Sequence, residues 1–485
     1  MPSHPVPETA GLWSRDRRGL TIGLVLSVTL VAFEALAIAN VMPIVAADLE
    51  AGNRDLYGWV FSGFLLSSLV GIVVAGLLID RGSLVLPFGL GLGLFSIGLL
   101  AGGLAPSMGV LVAARVLQGI GAGAIPAVAY VAIGRALPET LRPKMFATLS
   151  TAWVVPGLVG PALAGAVAEA FDWRLVFLGL LPLIAVAAGM TLPALRAVGP
   201  ASGAEAGREH DIAANTRRRL PAALVLAAAA GMTVAGLTDA SLWPGVPLLV
   251  IGIGLGVPAF RRLTPPGTLR VERGLPAAVM LRGVLTFAFF AVDIYVPVAF
   301  QDWRGTTATE AGLALTAATL TWTGAAWIQA HAVGRLGTRR FIRMGFAVVA
   351  IGMAAFMLVL NPAVPVFVGV MTWAIAGFGM GLAYSPLSLA VLREAPPDRQ
   401  GESTAGLQLS DVLGSALGAG VAGAIIAFGH RAGIELWVSL AWAFGIGVAV
   451  AAVGAVLAGR LSAGTIDSEV SARQPEQVAD VRAEA

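Results

Sequence analysis

Four ionisable residues lie deep inside long apolar stretches of this sequence: Glu34, Arg115, Asp293 and Asp411. If those stretches are helices in a lipid bilayer, each charge costs at least ~2.5–3.5 kcal/mol near the bilayer centre. Such residues are found where they bind protons or ions, pair with one another, or face a water-filled cavity. We therefore take all four as candidates for proton coupling. For Asp293 and Asp411, a water-facing position near a cavity mouth is the alternative.

Glu34 and Arg115 fall at the same depth when each is counted from its own side of the bilayer. Glu34 is 14 residues into its stretch, about 21 Å, and Arg115 is six residues into its stretch, about 9 Å from the opposite side of a core about 30 Å thick. We expect Glu34 to carry the coupling proton beside Arg115. The alternative is a permanent ion pair that only braces the fold.

The composition indicates a membrane protein. Of the 485 residues, 57% are hydrophobic and 12% are charged, and glycine contributes a further 61. Soluble domains carry about 25% charged residues, which they need to cover their surface. The chain has no cysteine, so disulfides and thiolate chemistry are excluded. Its four histidines are scattered without ligand spacing, and we expect no metal and no other cofactor.

Fourteen stretches are long enough to cross a bilayer, which requires roughly 20 apolar residues in a helix. They are 20–44, 57–79, 84–105, 109–134, 145–168, 174–195, 220–238, 242–260, 277–300, 309–333, 341–360, 364–392, 403–428 and 434–459. The seventh and eighth are the shortest, and a re-entrant pair is the alternative there.

Basic residues are distributed unevenly between the two sides of these spans. With fourteen spans, 26 of the 31 lysines and arginines lie on the side of the N-terminus. This count includes Arg219 and Arg282 as loop residues. Four lie on the other side, and Arg115 lies within a span. Since positively charged loops remain in the cytoplasm, we expect a multi-pass protein of the cell (inner, cytoplasmic) membrane with both termini in the cytoplasm.

The two halves of the sequence can be aligned with each other. At a shift of 254 residues, and of 258 after a four-residue insertion, prolines, loop arginines and glycines coincide: Pro43 with Pro297, Arg81 with Arg335, and Gly119 with Gly377. Parallel repeats of this kind are typical of transporters with a binding site between the halves.

The predicted divisions of the chain are an N-terminal cytoplasmic segment 1–19, a six-helix bundle 20–195, a linker 196–276 with the inserted pair 220–238 and 242–260, a second bundle 277–460, and a disordered cytoplasmic tail 461–485.

Three motifs resemble the major facilitator superfamily, and more narrowly its fourteen-helix drug:proton antiporters. Gly76–Gly82, with Asp80 and Arg81, resembles the cytoplasmic loop signature of the family. Arg115–Gly123 is similar to its intramembrane arginine motif. Val155–Gly165 resembles the signature associated with exporters, through Gly157, Gly160, Pro161 and Gly165.

The resemblance implies an all-α membrane fold of two parallel six-helix bundles plus an inserted two-helix hairpin, with 14 transmembrane helices in all. It places the first and fourth spans side by side, so that Glu34 can meet Arg115. It also implies a cytoplasmic latch, in which a cation meets Asp80 at the end of the second span. The latch candidates are Gly76, Asp80, Arg81, Arg335, Arg339 and Arg340, and Gly334 stands where the second half would carry the acid.

The expected function is proton-coupled antiport that exports small lipophilic compounds, of the multidrug-efflux type, with the proton gradient as the energy source. Expected partners are the small-molecule substrate, protons and the lipid bilayer, but no nucleic acid, and we expect a monomer. The alternatives are export of a lipid or cell-envelope precursor and uptake by proton symport. A membrane-embedded enzyme is a distant alternative, because the longest loops carry no cluster of acids or histidines and the chain has no phosphate-binding loop.

Overall fold

The computed structural model describes residues 11–50, 56–198, 209–238 and 242–462. Most of the predicted tail 461–485 and the first half of the predicted segment 1–19 lie outside these ranges. Within them the regular structure is helical, with short 3₁₀ and π segments and no strand. Continuous apolar sequence favours helices here, since a helix satisfies its own backbone hydrogen bonds in lipid.

The first half contains α1 (Arg18–Glu50), α2 (Tyr57–Ile79), α3 (Val85–Gly103), α4 (Met108–Ala136), α5 (Arg142–Thr151), α6 (Val154–Ala170), α7 (Arg174–Leu178) and α8 (Leu180–Ala197). Two long helices follow, α9 (Glu209–Thr238) and α10 (Leu242–Leu263). The second half contains α11 (Leu275–Asp293), α12 (Val296–Val298), α13 (Ala308–Leu336), α14 (Thr338–Phe356), α15 (Val366–Glu394), α16 (Gln400–Arg431) and α17 (Leu436–Leu457).

Each predicted span coincides with one helix or with a consecutive pair. Among the described residues, 12 helices are long and apolar enough to cross a membrane, and the pair α5–α6, bent by 42° at residue 161, is a possible thirteenth. The predicted tenth span coincides with α13 but is absent from this set. The physical reason is its composition, because threonines, a glutamine and a histidine interrupt its apolar residues. The predicted count of fourteen is therefore not reached on length and hydropathy alone.

The helices of the two halves pack in the same pattern. In the first half α1 packs on α6 and α8, while α2 and α3 pack on α4. In the second half α11 packs on α16 and α17, while α13 and α14 pack on α15. Small residues allow these close approaches: a Cβ atom at Gly119 of α4 would collide with the backbone of Phe64 on α2. Each half contains most of one large hydrophobic cluster, and the cluster of the first half also includes side chains of α13, α14 and α15.

The two halves meet where α2 packs on α16 and where α5 packs on α13. We call the end of the bundle that holds the end of α2 and the start of α16 the basic face; it is the side that the loop charges predict to be cytoplasmic. At the α5–α13 contact, Trp327 donates a hydrogen bond to Thr151 at 3.1 Å. Ala147 of α5 lies there in a small apolar cluster with Ala326 and Ala330 of α13. α9 packs on both α2 and α16, and α10 packs on α9.

Candidate functional site

The structure brings Glu34 and Arg115 into contact. Arg115 Nη1 of α4 donates to Glu34 Oε1 of α1, and the two side chains are only 2–3% exposed. Gln118, one turn further along α4, accepts from Arg115 at 3.1 Å and donates to Glu34 Oε1 at 3.4 Å. Arg115 Nε also donates to the carbonyl of Val60 at 3.2 Å, and its guanidinium lies 4.2 Å from the ring centroid of Phe64.

This arrangement leaves one carboxylate oxygen available for chemistry. Glu34 Oε2 is buried and has no hydrogen-bond partner among the described residues. A proton bound there would neutralise the carboxyl group, while Oε1 could still accept from Arg115. Gln118 was not among the sequence candidates. Its position three residues after Arg115, on the same helix face, is the signal that could have identified it.

A second ion pair, between the buried Arg282 and the partly buried Asp411, lies in the other half. Arg282 Nε of α11 donates to Asp411 Oδ1 of α16 at 3.0 Å, and the hydroxyl of Tyr384 on α15 donates to Asp411 Oδ2 at 2.8 Å. The Arg282 guanidinium lies 3.2 Å from the centroid of the Tyr384 ring. Tyr130 of α4, which packs against the cores of both halves, also interacts with Arg282. This cluster therefore includes side chains from both halves.

The placement of Arg282 in a loop was wrong. Its side chain is completely buried within α11. Seven residues after the start of that helix, at 1.5 Å rise each, it is roughly 10 Å from the basic face. The depth count that identified Arg115 could have found it, and 25 basic residues then remain on the predicted cytoplasmic side.

Asp293 has neither of these environments. It ends α11, is partly buried, and forms no ion pair among the residues that the structure describes. Its polar neighbour is Trp373 of α15. In the sequence repeat Trp373 aligns with Arg115, so the second half carries an aromatic ring where the first half carries the buried cation. The four ionisable candidates consequently lie in three separate places.

The glycines of the exporter-like motif lie on α6, which packs against the helix that carries Glu34. A Cβ atom at Gly160 would lie 3.5 Å from the ring of Phe33, the neighbour of Glu34 in α1. Gly157 faces Thr319 of α13 across the boundary between the halves, at 3.9 Å. Gly165 is partly buried, and the side chain of Pro161 lies outside what the structure describes. The motif thus approaches the Glu34 site through the contact of Gly160 with Phe33 of α1.

At the basic face, Asp80 binds the N-terminus of α16. Its Oδ1 accepts from the backbone N–H of Gly401 at 2.7 Å, and its Oδ2 from that of Glu402 at 2.9 Å. Arg135 of α4 donates to the carbonyls of Ile79 and Gly82 on either side of Asp80, at 3.3 and 3.0 Å. The positive end of the α16 dipole therefore meets the carboxylate. Burial raises the pKa of Asp80 to about 6, although the two backbone N–H groups act in the opposite direction.

The expected cation at Asp80 is thus largely replaced by a helix N-terminus. Arg81 and Arg335 are exposed at equivalent positions of the two halves, Arg340 is exposed and Arg339 is partly buried. Among the described contacts, Arg335, Arg339 and Arg340 do not bind the Asp80 carboxylate. A helix N-terminus can take this role because its first backbone N–H groups have no partner within the helix.

Gly76 and Gly401 let the backbones of α2 and α16 approach closely beside Asp80. A Cβ atom on Gly76 would lie 2.8 Å from the Gly401 carbonyl oxygen and 2.9 Å from Ala405 Cβ. We therefore predict that Gly76→Ala weakens closure of the basic face. The chain lacks cysteine, so Ala330→Cys, buried at the α5–α13 contact, reports opening through its labelling from the basic face.

Labelling of Ala330→Cys should be faster in the Gly76→Ala background than in the parent. Gly93→Ala is the matched control, because a Cβ atom there meets nothing within 4 Å. Equal labelling in the Gly76→Ala and Gly93→Ala backgrounds would contradict the prediction.

Two equivalent bundles of membrane-crossing length, buried charged pairs and a closed face between the halves define a membrane transporter. The family described as Major Facilitator Superfamily matches residues 22–419 and 278–480. The chain belongs to this superfamily, and its relatives and structural neighbours are transporters, not enzymes.

Curated relatives align over most of the chain. A probable multidrug-efflux transporter of Mycobacterium tuberculosis is 28% identical over 421 residues, which cover 84% of this chain and 87% of the relative. The multidrug resistance protein Stp of the same organism is 26% identical, over 84% of this chain and 76% of the relative. Among solved structures, the human organic anion transporter MFSD10 shares the fold, with a TM-score of 0.66 at 14% identity over 94% of this chain and 100% of that one.

Proposed function

We propose that this protein is a proton-coupled antiporter that exports small lipophilic compounds, of the multidrug-efflux type. The observation that carries the proposal is the buried Glu34–Arg115–Gln118 cluster with its unpartnered carboxylate oxygen. A carboxyl group beside a fixed cation can release its proton without leaving an isolated buried charge. The names of the relatives, a probable multidrug-efflux transporter and a multidrug resistance protein, support the efflux direction.

The proposed cycle is alternating access. With the basic face closed by the Asp80–α16 contact and by the α5–α13 contact, Glu34 binds a proton from the outer side. Opening of the basic face then exposes the Glu34 site to the cytoplasm, where the proton leaves and the substrate enters the cavity. Return to the closed state carries the substrate outward, so protons enter the cell as the substrate leaves. Asp293 and Asp411 are further candidate proton sites in this proposal.

The proposed architecture has fourteen spans, with α13 as the span that hydropathy alone does not select and α9–α10 as an inserted transmembrane hairpin. The bundles 20–195 and 277–460 are the moving units, joined by the linker 196–276. Both termini are cytoplasmic, the membrane is the inner membrane, and the protein acts as a monomer. Although polar residues interrupt α13, it packs on α15, α5 and α14, which shields much of its surface from lipid.

The decisive experiment measures flux in proteoliposomes. Purified protein is reconstituted and tested against a panel of lipophilic cations, neutral compounds and anions, with and without an imposed pH gradient. We expect substrate movement opposite to the proton gradient, accompanied by proton movement that a pH-sensitive dye detects. Gradient-independent flux would remove proton coupling, and flux in the same direction as protons would indicate symport instead.

The proposed topology predicts which single cysteines an impermeant thiol reagent labels from each side. Ser83→Cys, exposed after α2, should react only from the cytoplasm. Trp243→Cys, where the native side chain is 81% exposed near the start of α10, should react only from outside if α9 and α10 both cross the membrane. Labelling of both positions from the same side would contradict the inserted transmembrane pair.

A further inference from the structure

Three consecutive arginines lie near the start of the described side chains of α9, and they point in different directions. Arg217 and Arg218 are exposed, while Arg219 is only 4% exposed. The seventh predicted span begins only at residue 220, so the sequence alone predicts a loop position for all three. A long charged side chain is buried in an apolar environment only when it is paired and hydrogen-bonded, so the contacts of Arg219 indicate its role.

Arg219 joins the inserted helix pair to the closed basic face. Its Nη1 pairs with Glu402 Oε1 of α16 at 2.8 Å, and its Nη2 donates to the carbonyl of Leu263 at the end of α10 at 2.7 Å. Glu402 is also the residue whose backbone N–H binds Asp80. One residue of α16 therefore contacts α2 through its backbone and α9 through its side chain.

The charges at this point would repel one another without Arg219. Glu402 is 22% exposed, and its carboxylate raises the pKa of Asp80, whereas Arg219 acts in the opposite direction. Two carboxylates at one helix N-terminus compete for the same positive end of the dipole. A buried guanidinium on Glu402 removes this competition and leaves the backbone donors to Asp80.

The apolar contacts place α9 across the boundary between the halves. One hydrophobic cluster contains side chains from four helices, including Leu77 of α2, Leu226 of α9, Leu263 of α10 and Leu409 of α16. Further along, Gly231 of α9 faces Leu66 of α2, and Gly420 of α16 faces Leu237 of α9. The helix pair thus covers the α2–α16 boundary along much of its length.

We propose that α9–α10 is a clamp that favours closure of the basic face, and that Arg219 is its positioning residue, acting by neutralising Glu402 where α16 binds Asp80. The inference rests on the proposed function in one respect, since it takes the basic face to be a gate that opens and closes. The inserted helix pair thereby shifts the balance between the open and closed states of the basic face. No helix pair covers the opposite boundary, α5–α13, in the described part of the chain, so the clamp acts on one side only.

The test uses the full-length protein in membranes, with Ala330→Cys as the reporter and an impermeant thiol reagent applied from the basic face. The reporter lies at the α5–α13 contact, away from Arg219, so it responds to opening of the whole face. Arg219→Gln should increase its labelling rate about tenfold, because Glu402 is left without its cation beside Asp80. Arg218→Gln is the matched control, since the neighbouring side chain is exposed and should leave the rate unchanged.

Rescue distinguishes charge balance from damage to the fold. Glu402→Gln removes the repulsion at its source, so Arg219→Gln/Glu402→Gln should label within about twofold of the parent. Parental labelling in Arg219→Gln, or fast labelling that persists in the double variant, would overturn the clamp. Gradient-driven flux is a separate measurement, and its absence in the parent would overturn proton coupling. The labelling ratios would still show whether α9–α10 favours closure of the basic face.

Discussion

Replacing either member of the Glu34–Arg115 pair should abolish gradient-driven transport, but the two replacements should differ in stability. In Arg115→Gln, the carboxyl group of Glu34 can bind a proton and remain neutral beside Gln118. In Glu34→Gln, the guanidinium cannot lose its proton and stays charged in a buried site. Leaving one charge of a buried pair uncompensated costs about 3–5 kcal/mol of unfolding free energy. Glu34→Gln should therefore lower the midpoint of thermal unfolding in detergent more than Arg115→Gln does.

Matched controls separate this effect from general damage. Glu169→Gln and Arg196→Gln make the same chemical changes at exposed positions and should preserve both stability and flux. The double variant Glu34→Gln/Arg115→Gln should recover stability relative to Glu34→Gln without recovering gradient-driven flux. Proton-driven export by Glu34→Gln would remove Glu34 from the coupling mechanism. A larger loss of stability in Arg115→Gln would contradict the charge argument.

The features that depend on depth and hydropathy could be predicted from the sequence. Apolar length located all the helix positions, and counting residues from each face placed Glu34 and Arg115 at one level. The same count places Arg282 five residues inside the predicted span 277–300, although the count of loop charges includes it in the preceding loop. Since α11 begins at Leu275, Arg282 lies two turns inside the helix, where it pairs with Asp411.

Features that depend on helix rotation could not be predicted. Arg217, Arg218 and Arg219 are indistinguishable as sequence, and only the orientation of α9 determines that the third is buried against Glu402. Similarly, nothing in the composition of α16 indicates that its N-terminus replaces the expected cation at Asp80. Partners that are far apart in sequence, such as Asp80 and Gly401, require the packing of the two halves to be known.

The two halves differ at the basic face in a way that the contacts explain. Gly334 takes the place of Asp80 in the second half, so that half lacks the acid. The matching change lies in the first half, where Pro143 aligns with Gly401 at the start of α5. Proline has no backbone N–H, so it could not donate as Gly401 does to Asp80. The acceptor and one of its donors are therefore both absent at the α5–α13 boundary. In the described part of the chain, the capping contact forms between α2 and α16 alone.

Because the contact of the Asp80 carboxylate with the N-terminus of α16 has no described equivalent at the α5–α13 boundary, closure of the basic face should depend on pH through Asp80. In the closed state burial raises the pKa of Asp80 from 3.8 to about 6, whereas in the open state we expect the ordinary value in water. The closed state therefore binds the proton more tightly. Its stabilisation is complete below about pH 4 and is lost as the pH rises through about 6. Between low and high pH, the free energy of closure changes by on the order of 3 kcal/mol at most. The neighbouring charged groups Glu402, Arg219 and Arg135 all contribute to it.

The measurement is labelling of Ala330→Cys between pH 5 and 7.5, divided at each pH by labelling of the exposed Ser83→Cys to cancel the reactivity of the thiol itself. The ratio should rise with pH around 6 in the parent. In Asp80→Asn the dependence should disappear, because the amide does not titrate in this range. The ratio should also be higher at pH 5 than in the parent, since an amide has one acceptor oxygen for two backbone donors and turns its NH₂ group toward the other. A ratio that is independent of pH in the parent, or unchanged by Asp80→Asn, would show that closure does not depend on the charge of Asp80.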